Sequence, residues 1–237
     1  MNVSELVSAY LIDKNVREGE ERLPFRLHVS DIANGCTRAV WHRIHNGLTN
    51  EFTSTQLKKF AFGHAWERVV EEALVFAGYE IIVDEMVEMD DGVIGHGDIL
   101  AVNADTRHLI EVKTTMLFRN GGRPPVMYTR DELREQQRQY IIQPTRYAKH
   151  YACDTFTLHL IDRGTGIDGD FEFVTAEEWP YVKARSAQFK LLMELPDEPD
   201  ALLPQWTRNA KGVSYICKTC PVLTCSQNPN YTAARSA

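Results

Sequence analysis

Apolar residues in the first third of the chain recur at every third or fourth position, which is the period of an α-helix. We predict a first helix over residues 2–14, whose apolar side is formed by Val3, Leu6, Val7, Tyr10 and Leu11. A second helix is predicted over residues 30–45, with Ser30 as its cap. A third is predicted over residues 53–76, with Gly78 closing it.

After residue 78 the pattern changes to short runs rich in β-branched and aromatic residues. Two strands, over residues 79–89 and 93–103, are predicted to form a hairpin around the turn Asp90-Asp91-Gly92. Further strands are predicted over residues 108–115, 155–161 and 171–174. These runs are long enough to form one central sheet.

Helical periodicity returns twice in the second half of the chain. One helix is predicted over residues 132–152, where Pro144 is expected to kink it or to mark a new start. Another is predicted over residues 176–194, with Thr175 as its cap. Helices, three strands, a helix, two strands and a helix follow one another, and this order indicates an α/β core with helical flanks.

Composition narrows the class of protein without naming a function. The 237 residues are 43% hydrophobic and 25% charged, which is ordinary for a globular chain. No apolar run reaches the length of a membrane helix, and the N-terminus lacks the basic start and apolar stretch of a signal peptide, so we expect a cytoplasmic protein. A net charge of −7 argues against coating nucleic acid by bulk charge, but a local basic groove remains compatible with it.

Three charged residues on two neighbouring predicted strands form the candidate catalytic group. Glu111 and Lys113 are two apart in the run EVK, so they point to the same face of a strand, and Asp98 ends the run GHGD on the strand before. Two close carboxylates repel unless a cation lies between them, which favours Mg²⁺ or Mn²⁺. Lys113 is then placed to orient a water molecule or to stabilise a transition state. The alternative is an ordinary surface strand carrying a Glu–Lys pair.

The segment GHGD…EVKTT resembles the PD-(D/E)xK nucleases, in particular their RecB-like branch. The resemblance implies a restriction-endonuclease-like fold, with a central mixed sheet flanked by helices. It also implies that Asp98, Glu111 and Lys113 form the active site and that the Val112 backbone carbonyl joins the two carboxylates as a metal ligand.

Two further motifs of that branch are matched. Its Gln-x-x-x-Tyr helix corresponds to Gln143 and Tyr147; Gln136 and Tyr140 also fit the bare pattern, but they lie further from the next strand. Pro144 inside the motif is a departure from it. Its upstream Gly-x-x-x-His or Gly-x-x-x-Glu motif corresponds to residues 63–67, which favours Glu67 as a metal ligand, with His64 as the second candidate.

Four cysteines lie at opposite ends of the chain: Cys36, Cys217, Cys220 and Cys225. Three close cysteines plus a distant one can complete a four-sulfur site, either a zinc site or an iron–sulfur cluster. The segment around Cys36 resembles CRISPR-associated RecB-like exonucleases and AddB-type helicase–nucleases, and this resemblance implies a [4Fe–4S] cluster. Such a cluster would join the N- and C-terminal segments as a structural staple, whereas Cys153 is expected to be a core residue.

This organisation predicts one compact unit with three parts. These are an N-terminal helical segment over residues 1–50, a nuclease core over 51–195 and a cysteine-cluster segment over 196–237. The predicted function is a metal-dependent DNA exonuclease acting chiefly on single strands or ends, with recombination, replication or CRISPR adaptation proteins as partners and no membrane. Residues expected to contact DNA are Arg38, Arg119, Arg123 and Tyr140. The alternatives are a non-catalytic nucleic-acid-binding or assembly subunit of the same fold, and a zinc-stabilised protein without a cluster.

Overall fold

The structure is a computed structural model that describes residues 2–20, 25–48, 52–82, 86–104, 106–115, 128–201, 217, 220–222 and 225. Its helices are α1 Val3–Glu20, α2 Val29–Asn34, α3 Thr37–Asn46, α4 Ser54–Phe76, α5 Arg130–Gln136, α6 Gln139–His150 and α7 Thr175–Met193. Its strands are β1 Glu80–Ile82, β2 Val87–Glu88, β3 Ile94–Gly95, β4 Ile99–Asn103, β5 Thr106–Thr115, β6 Thr155–Asp162 and β7 Asp168–Val174. No described helix has both the length and the apolar character needed to cross a bilayer.

Five of these strands form a mixed sheet in the order β1-β4-β5-β6-β7. β5 and β6 run parallel, with Glu111 opposite Leu158, and the other neighbours are antiparallel. The connection between the parallel pair includes α5 and α6, as a parallel crossover requires. The predicted α/β class, with a mixed sheet flanked by helices, is therefore confirmed, and it is compatible with a restriction-endonuclease-like fold.

The sheet separates two apolar layers. On one face, Leu109, Leu158 and Phe156 pack with side chains of α2, α6 and α7, including Ile32, Ile142 and Phe189 in the main core. On the other face, α4 covers Ile99, Ala101, Ile110 and Val112 with Trp66, Val70 and Leu74. Alternate residues of β5 thus enter different layers, which places Glu111 and Lys113 on the side of Leu109.

The predicted single helix over residues 30–45 is wrong, because the chain forms two helices there. Gly35 and Cys36 are extended, with ψ values of 139° and 129°, and Cys36 is the N-cap of α3. A Cβ on Gly35 would overlap the carbonyl oxygen of Asp31, so this tight turn requires glycine. The cap of α2 is His28 rather than Ser30, and the Asp31 carboxylate accepts its N–H at 2.7 Å.

The two predicted strands 79–89 and 93–103 each divide between two sheets. Their outer parts, β1 and β4, pair in the main sheet, whereas β2 and β3 form a separate two-stranded sheet around the turn at residues 90–92. The predicted hairpin turn is confirmed there, with Gly92 at φ +78°. The small hairpin is also bonded to the segment just before α2, since Ile94 N–H donates to Leu27 O at 3.0 Å.

The helices of the second half begin at other residues than predicted. The run 132–152 divides at Gln137, whose φ of −133° and ψ of 35° end α5, while Pro144 lies inside the uninterrupted α6. The last helix begins at Thr175 itself, and Val174 is its N-cap. Thr175 is not the cap because its hydroxyl donates to Cys153 O at 2.8 Å instead. The three-part division of the chain stays a prediction.

Candidate active site

Asp98 and Glu111 lie side by side at the ends of adjacent strands. Ile99 pairs with Ile110 in the antiparallel β4–β5 register, so the residue before Ile99 lies beside the residue after Ile110. Asp98 Oδ2 accepts the backbone N–H of Val112 at 2.9 Å, which fixes the carboxylate against β5. The predicted proximity of the two acids is thus present in the structure.

The Lys113 ammonium lies among three oxygens. Its Nζ is 3.4 Å from Asp98 Oδ2 and 3.4 Å from Val112 O, and it forms an ion pair with Glu111 Oε1. These oxygens belong to the three residues that the sequence resemblance names as metal ligands. Oxygens of two carboxylates and one carbonyl therefore converge on a single position, and the Lys113 ammonium occupies that position.

Burial dominates the electrostatics of Glu111. Its side chain is 0% exposed, and Oε2 accepts no hydrogen bond from the described residues. Burial first, and the nearby Asp98 carboxylate second, raise the pKa of Glu111 to about 8 despite the opposing Lys113 charge. Burial lowers the pKa of Lys113, but Asp98 and Glu111 together outweigh it and raise that pKa above its ordinary value.

A buried carboxylate with one oxygen that accepts no hydrogen bond from the described residues, next to a second carboxylate and a backbone carbonyl, is a donor set that suits a hard divalent cation. The residues present therefore fit Mg²⁺ or Mn²⁺. Within the described ranges, which include Cys36, Cys217, Cys220 and Cys225, no three or more His, Cys, Asp or Glu side chains form a group that could hold a metal ion. Any cation held here would therefore take part of its coordination from the backbone, water or substrate.

Helix α4 brings two more predicted ligands toward this group. Glu67 is close enough for its charge to raise the pKa of both Glu111 and Lys113. His64 Nδ1 lies 2.9 Å from Glu67 Oε2, and this hydrogen bond raises the pKa of His64. The His64 side chain is 70% exposed and that of Glu67 is 25% exposed, so Glu67 is the inner member of the pair.

Helix α6 supplies Tyr147, which is buried beside the acids. Its ring lies against Gly97, and a Cβ on Gly95 would overlap its Oη. Burial, followed by the charges of Glu111 and Asp98, raises the pKa of Tyr147, which keeps the phenol protonated. Gln143 lies one turn earlier on the same helix, half-buried, and its side chain makes no hydrogen bond to any described residue.

Sequence reasoning used GHGD only for its aspartate and missed the role of its glycines. Gly95 and Gly97 alternate with larger residues in that motif and leave room for the Tyr147 ring. The spacing of the two glycines was visible in the sequence, but their partner on α6 was not.

The four cysteines of the predicted cluster form a second group, which is distant in sequence from Asp98 and Glu111. Cys36 and Cys225 are buried and Cys220 is half-buried. Burial raises the pKa of Cys36 and of Cys220, and the charge of Cys225 raises both pKa values further. None of the five cysteines, all of which the structure describes, forms a disulfide, and Cys217 is also buried. The structure thus brings thiols from both ends of the chain into one region. Cys153 lies apart from them in the main core, as predicted.

The residues predicted to contact DNA have varied surroundings. Arg38 Nε lies 2.5 Å from Glu198 Oε1 and donates to Pro199 O at 3.2 Å, and its guanidinium also hydrogen-bonds to the Cys225 sulfur. Tyr140 packs against the main core and is half-buried. Arg119 and Arg123 lie outside the described residues. A role in DNA binding stays a prediction for all four.

Comparison with solved structures shows which fold this is. SSO0001 superposes with a TM-score of 0.56 at 15% identity, covering 94% of this chain and 97% of that chain. An alkaline exonuclease from Laribacter hongkongensis, LHK-Exo, gives TM-scores of 0.43 alone and 0.45 in complex with dAMP, at 14% and 15% identity, over 72% of this chain and 91% of that chain. No protein-family model and no curated protein matches the sequence. The chain therefore shares its fold with SSO0001.

Proposed function

We propose that this protein is a metal-dependent DNA exonuclease that hydrolyses phosphodiester bonds in single strands or at DNA ends. The observation that carries the proposal is the convergence of Asp98, Glu111 and the Val112 carbonyl on one cationic position, the Lys113 ammonium. A buried carboxylate with an unpartnered oxygen is costly to keep unless it has a function, and binding a divalent cation is such a function.

Asp98, Glu111 and the Val112 carbonyl are the residues proposed to hold Mg²⁺ or Mn²⁺, with Glu67 as the ligand from α4. When bound, the ion lowers the pKa of a coordinated water and neutralises charge on a scissile phosphate. The raised pKa of Glu111 means that metal competes with a proton for this carboxylate, so binding strengthens as the pH rises toward about 8.

The remaining residues position the substrate. The Lys113 ammonium would have to leave its central position for a metal to be held there, and its flexible stem would let it orient a water or contact a phosphate oxygen. The protonated phenol of Tyr147 and the amide of Gln143 are hydrogen-bond donors on one side of α6. His64 holds the Glu67 carboxylate through its 2.9 Å hydrogen bond.

We further propose that Cys36, Cys217, Cys220 and Cys225 bind a structural [4Fe–4S] cluster. The thiols of Cys36, Cys220 and Cys225 interact electrostatically, and burial disfavours the thiolate forms of Cys36 and Cys220 unless a metal neutralises them. Arg38 adds a positive charge and a hydrogen bond at the Cys225 sulfur, as is common around cluster sulfurs. The zinc-bound form is the competing proposal for the same thiols.

The proposed substrate is DNA, with Arg38, Arg119, Arg123 and Tyr140 as the contacts outside the reacting group. The proposed setting is end processing in the cytoplasm, alongside recombination, replication or CRISPR adaptation proteins.

The test is cleavage of single-stranded DNA labelled at either end, with Mg²⁺ or Mn²⁺ and with chelator. The parent should release short products only with metal, while Asp98→Ala, Glu111→Ala and Lys113→Ala each lose activity by about 100-fold or more. Glu72→Ala, on the exposed side of α4, is the matched control and should cleave like the parent. Metal-dependent activity retained in all three variants would overturn the proposed site. An inert parent that still binds DNA would favour the non-catalytic subunit.

A further inference from the structure

A cavity of about 420 Å³ lies between α6 and α7, beside the β2–β3 turn. We call it the α6–α7 pocket. It is lined on the α7 side by Trp179, Lys183 and Lys190 and on the α6 side by Arg146 and Lys149, with Met89 at its floor. Its size suits a ligand of one nucleotide. Arg146 directly precedes Tyr147, so the two side chains leave α6 about 100° apart, and the pocket is distinct from the candidate active site.

The charge of the pocket is opposite to that of the whole chain. Four cationic side chains line it against two carboxylates, Asp90 and Asp91, in a chain of net charge −7. Asp91 is already engaged, because Arg146 Nη2 donates to its Oδ1 at 2.8 Å. Lys183 is exposed and has no ion-pair partner in the part of the chain that the structure describes. The pocket is therefore built to attract an anion.

The α6–α7 pocket is also lined by an aromatic ring and a thioether, so its lining is not purely ionic. Trp179 is half-buried against the main core, and Lys149 Nζ lies 6.0 Å from the centre of its ring. Arg146 is only 3% exposed, and two of its N–H groups point at Met89 Sδ, at 3.3 and 3.2 Å, which is a weak acceptor. The guanidinium also donates to the Asp91 carboxylate and to the Ser186 hydroxyl, so Lys149 and Lys183 are the exposed cations that the pocket offers to a ligand.

We propose that the α6–α7 pocket binds a nucleotide unit, with the base stacked on Trp179 and the phosphate held by Lys149 and Lys183. An aromatic ring flanked by flexible cations is the arrangement with which proteins hold single nucleotides of a strand. A purely acidic or inorganic ligand would not use Trp179, and an apolar ligand would not use the lysines. The nucleotide unit has two sources, a free nucleotide or one residue of a DNA strand.

The assignment does not rest on the nuclease proposal, because binding is measured with chelator present. The experiment is calorimetric titration of the parent with dTMP, thymidine, inorganic phosphate and the octamer (dT)8. Trp179→Leu and Lys183→Glu should each weaken binding of dTMP, of (dT)8 or of both by about 5- to 100-fold, as loss of one stacking contact predicts. Lys59→Glu, the same charge change on α4, should bind like the parent.

The outcomes separate the two sources. Loss of dTMP binding alone assigns a free-nucleotide site, loss of (dT)8 binding alone assigns a strand contact, and loss of both assigns a site that accepts either. The proposal is overturned if Lys183→Glu, whose exposed position makes it tolerant, binds both ligands like the parent. It is equally overturned if inorganic phosphate binds as tightly as dTMP, because Trp179 would then have no part.

Discussion

Tyr147 Oη lies where a side chain on Gly95 would have to be, so the absence of a Cβ at Gly95 is what lets the phenol reach the acids. The contact joins β3 of the small hairpin to α6, and the same tyrosine ring continues over Gly97. The position of the phenol beside Asp98 and Glu111 therefore depends on a residue that carries no functional group.

Replacing Gly95 by alanine is expected to displace Tyr147 from its site. Overpacking of this kind costs about 1–3 kcal/mol of folding stability, and cleavage should fall with it. Thermal unfolding and a cleavage time course measure the two effects. Gly97→Ala is the matched control, because a Cβ there would lie 3.4 Å from Tyr147 Cγ, which is ordinary contact. Equal effects of both substitutions would contradict this account of Tyr147.

The Glu111→Gln variant should be more stable than the parent at pH 8 when metal is chelated. The pKa of Glu111 is about 8 in the folded protein, against an ordinary value of 4.5, so the folded state holds its proton more tightly than the unfolded state. Stability of the parent is consequently lost as the pH rises from about 4.5 to 8, and Gln, which does not ionise, avoids this loss. The expected difference is on the order of a few kcal/mol.

Unfolding midpoints of both proteins across pH 5–9, in chelator, measure this difference. Glu72→Gln is the control and should follow the parent at every pH. Added Mn²⁺ should reverse the order, since only the parent gains stability from binding. If the parent were more stable than Glu111→Gln in chelator at pH 8, the buried Glu111 carboxylate would not lower the stability of the folded state.

Lys113→Met should bind Mn²⁺ more tightly than the parent while losing cleavage. The ammonium now contacts the oxygens of Asp98, Glu111 and Val112, so a metal must displace it. Removing this internal competitor should raise the metal affinity about 10-fold, equal to about 1.4 kcal/mol. Calorimetric titration with Mn²⁺ measures it, and Lys59→Met on α4 is the control. Unchanged or weaker binding in Lys113→Met would place the metal elsewhere.

Cys36→Ala should lower stability and DNA binding more than it lowers the chemical step. A cluster that joins Cys36 to the C-terminal cysteines closes a loop of about 180 residues, and its loss releases chain entropy on the order of 4 kcal/mol. Protein purified without oxygen should carry iron and visible absorbance, and Cys36→Ala should lose both, whereas Cys153→Ala should keep its iron. A colourless, zinc-loaded parent would favour the zinc alternative; a Cys36→Ala protein as stable as the parent would contradict the staple.

The sequence by itself determined the elements and the faces of the strands. Helical and alternating periodicity placed α4, β5 and β6 within a few residues, and a period of two put Glu111 and Lys113 on one face with Val112 on the other. These properties are local, because they depend on which side of a single element is apolar. The same reasoning named Asp98 as a neighbour of Glu111, since a hairpin-like order of strands brings them together.

Only the tertiary structure decided where elements end and what fills the space between them. The division of two predicted strands between two sheets depends on pairing with other segments of the chain, and Pro144 is buried inside the uninterrupted α6. Contacts between distant segments also place the Lys113 ammonium among three oxygens and Tyr147 against Gly95. They form the α6–α7 pocket as well. The cause of these arrangements is packing between elements remote in sequence, which no local period encodes.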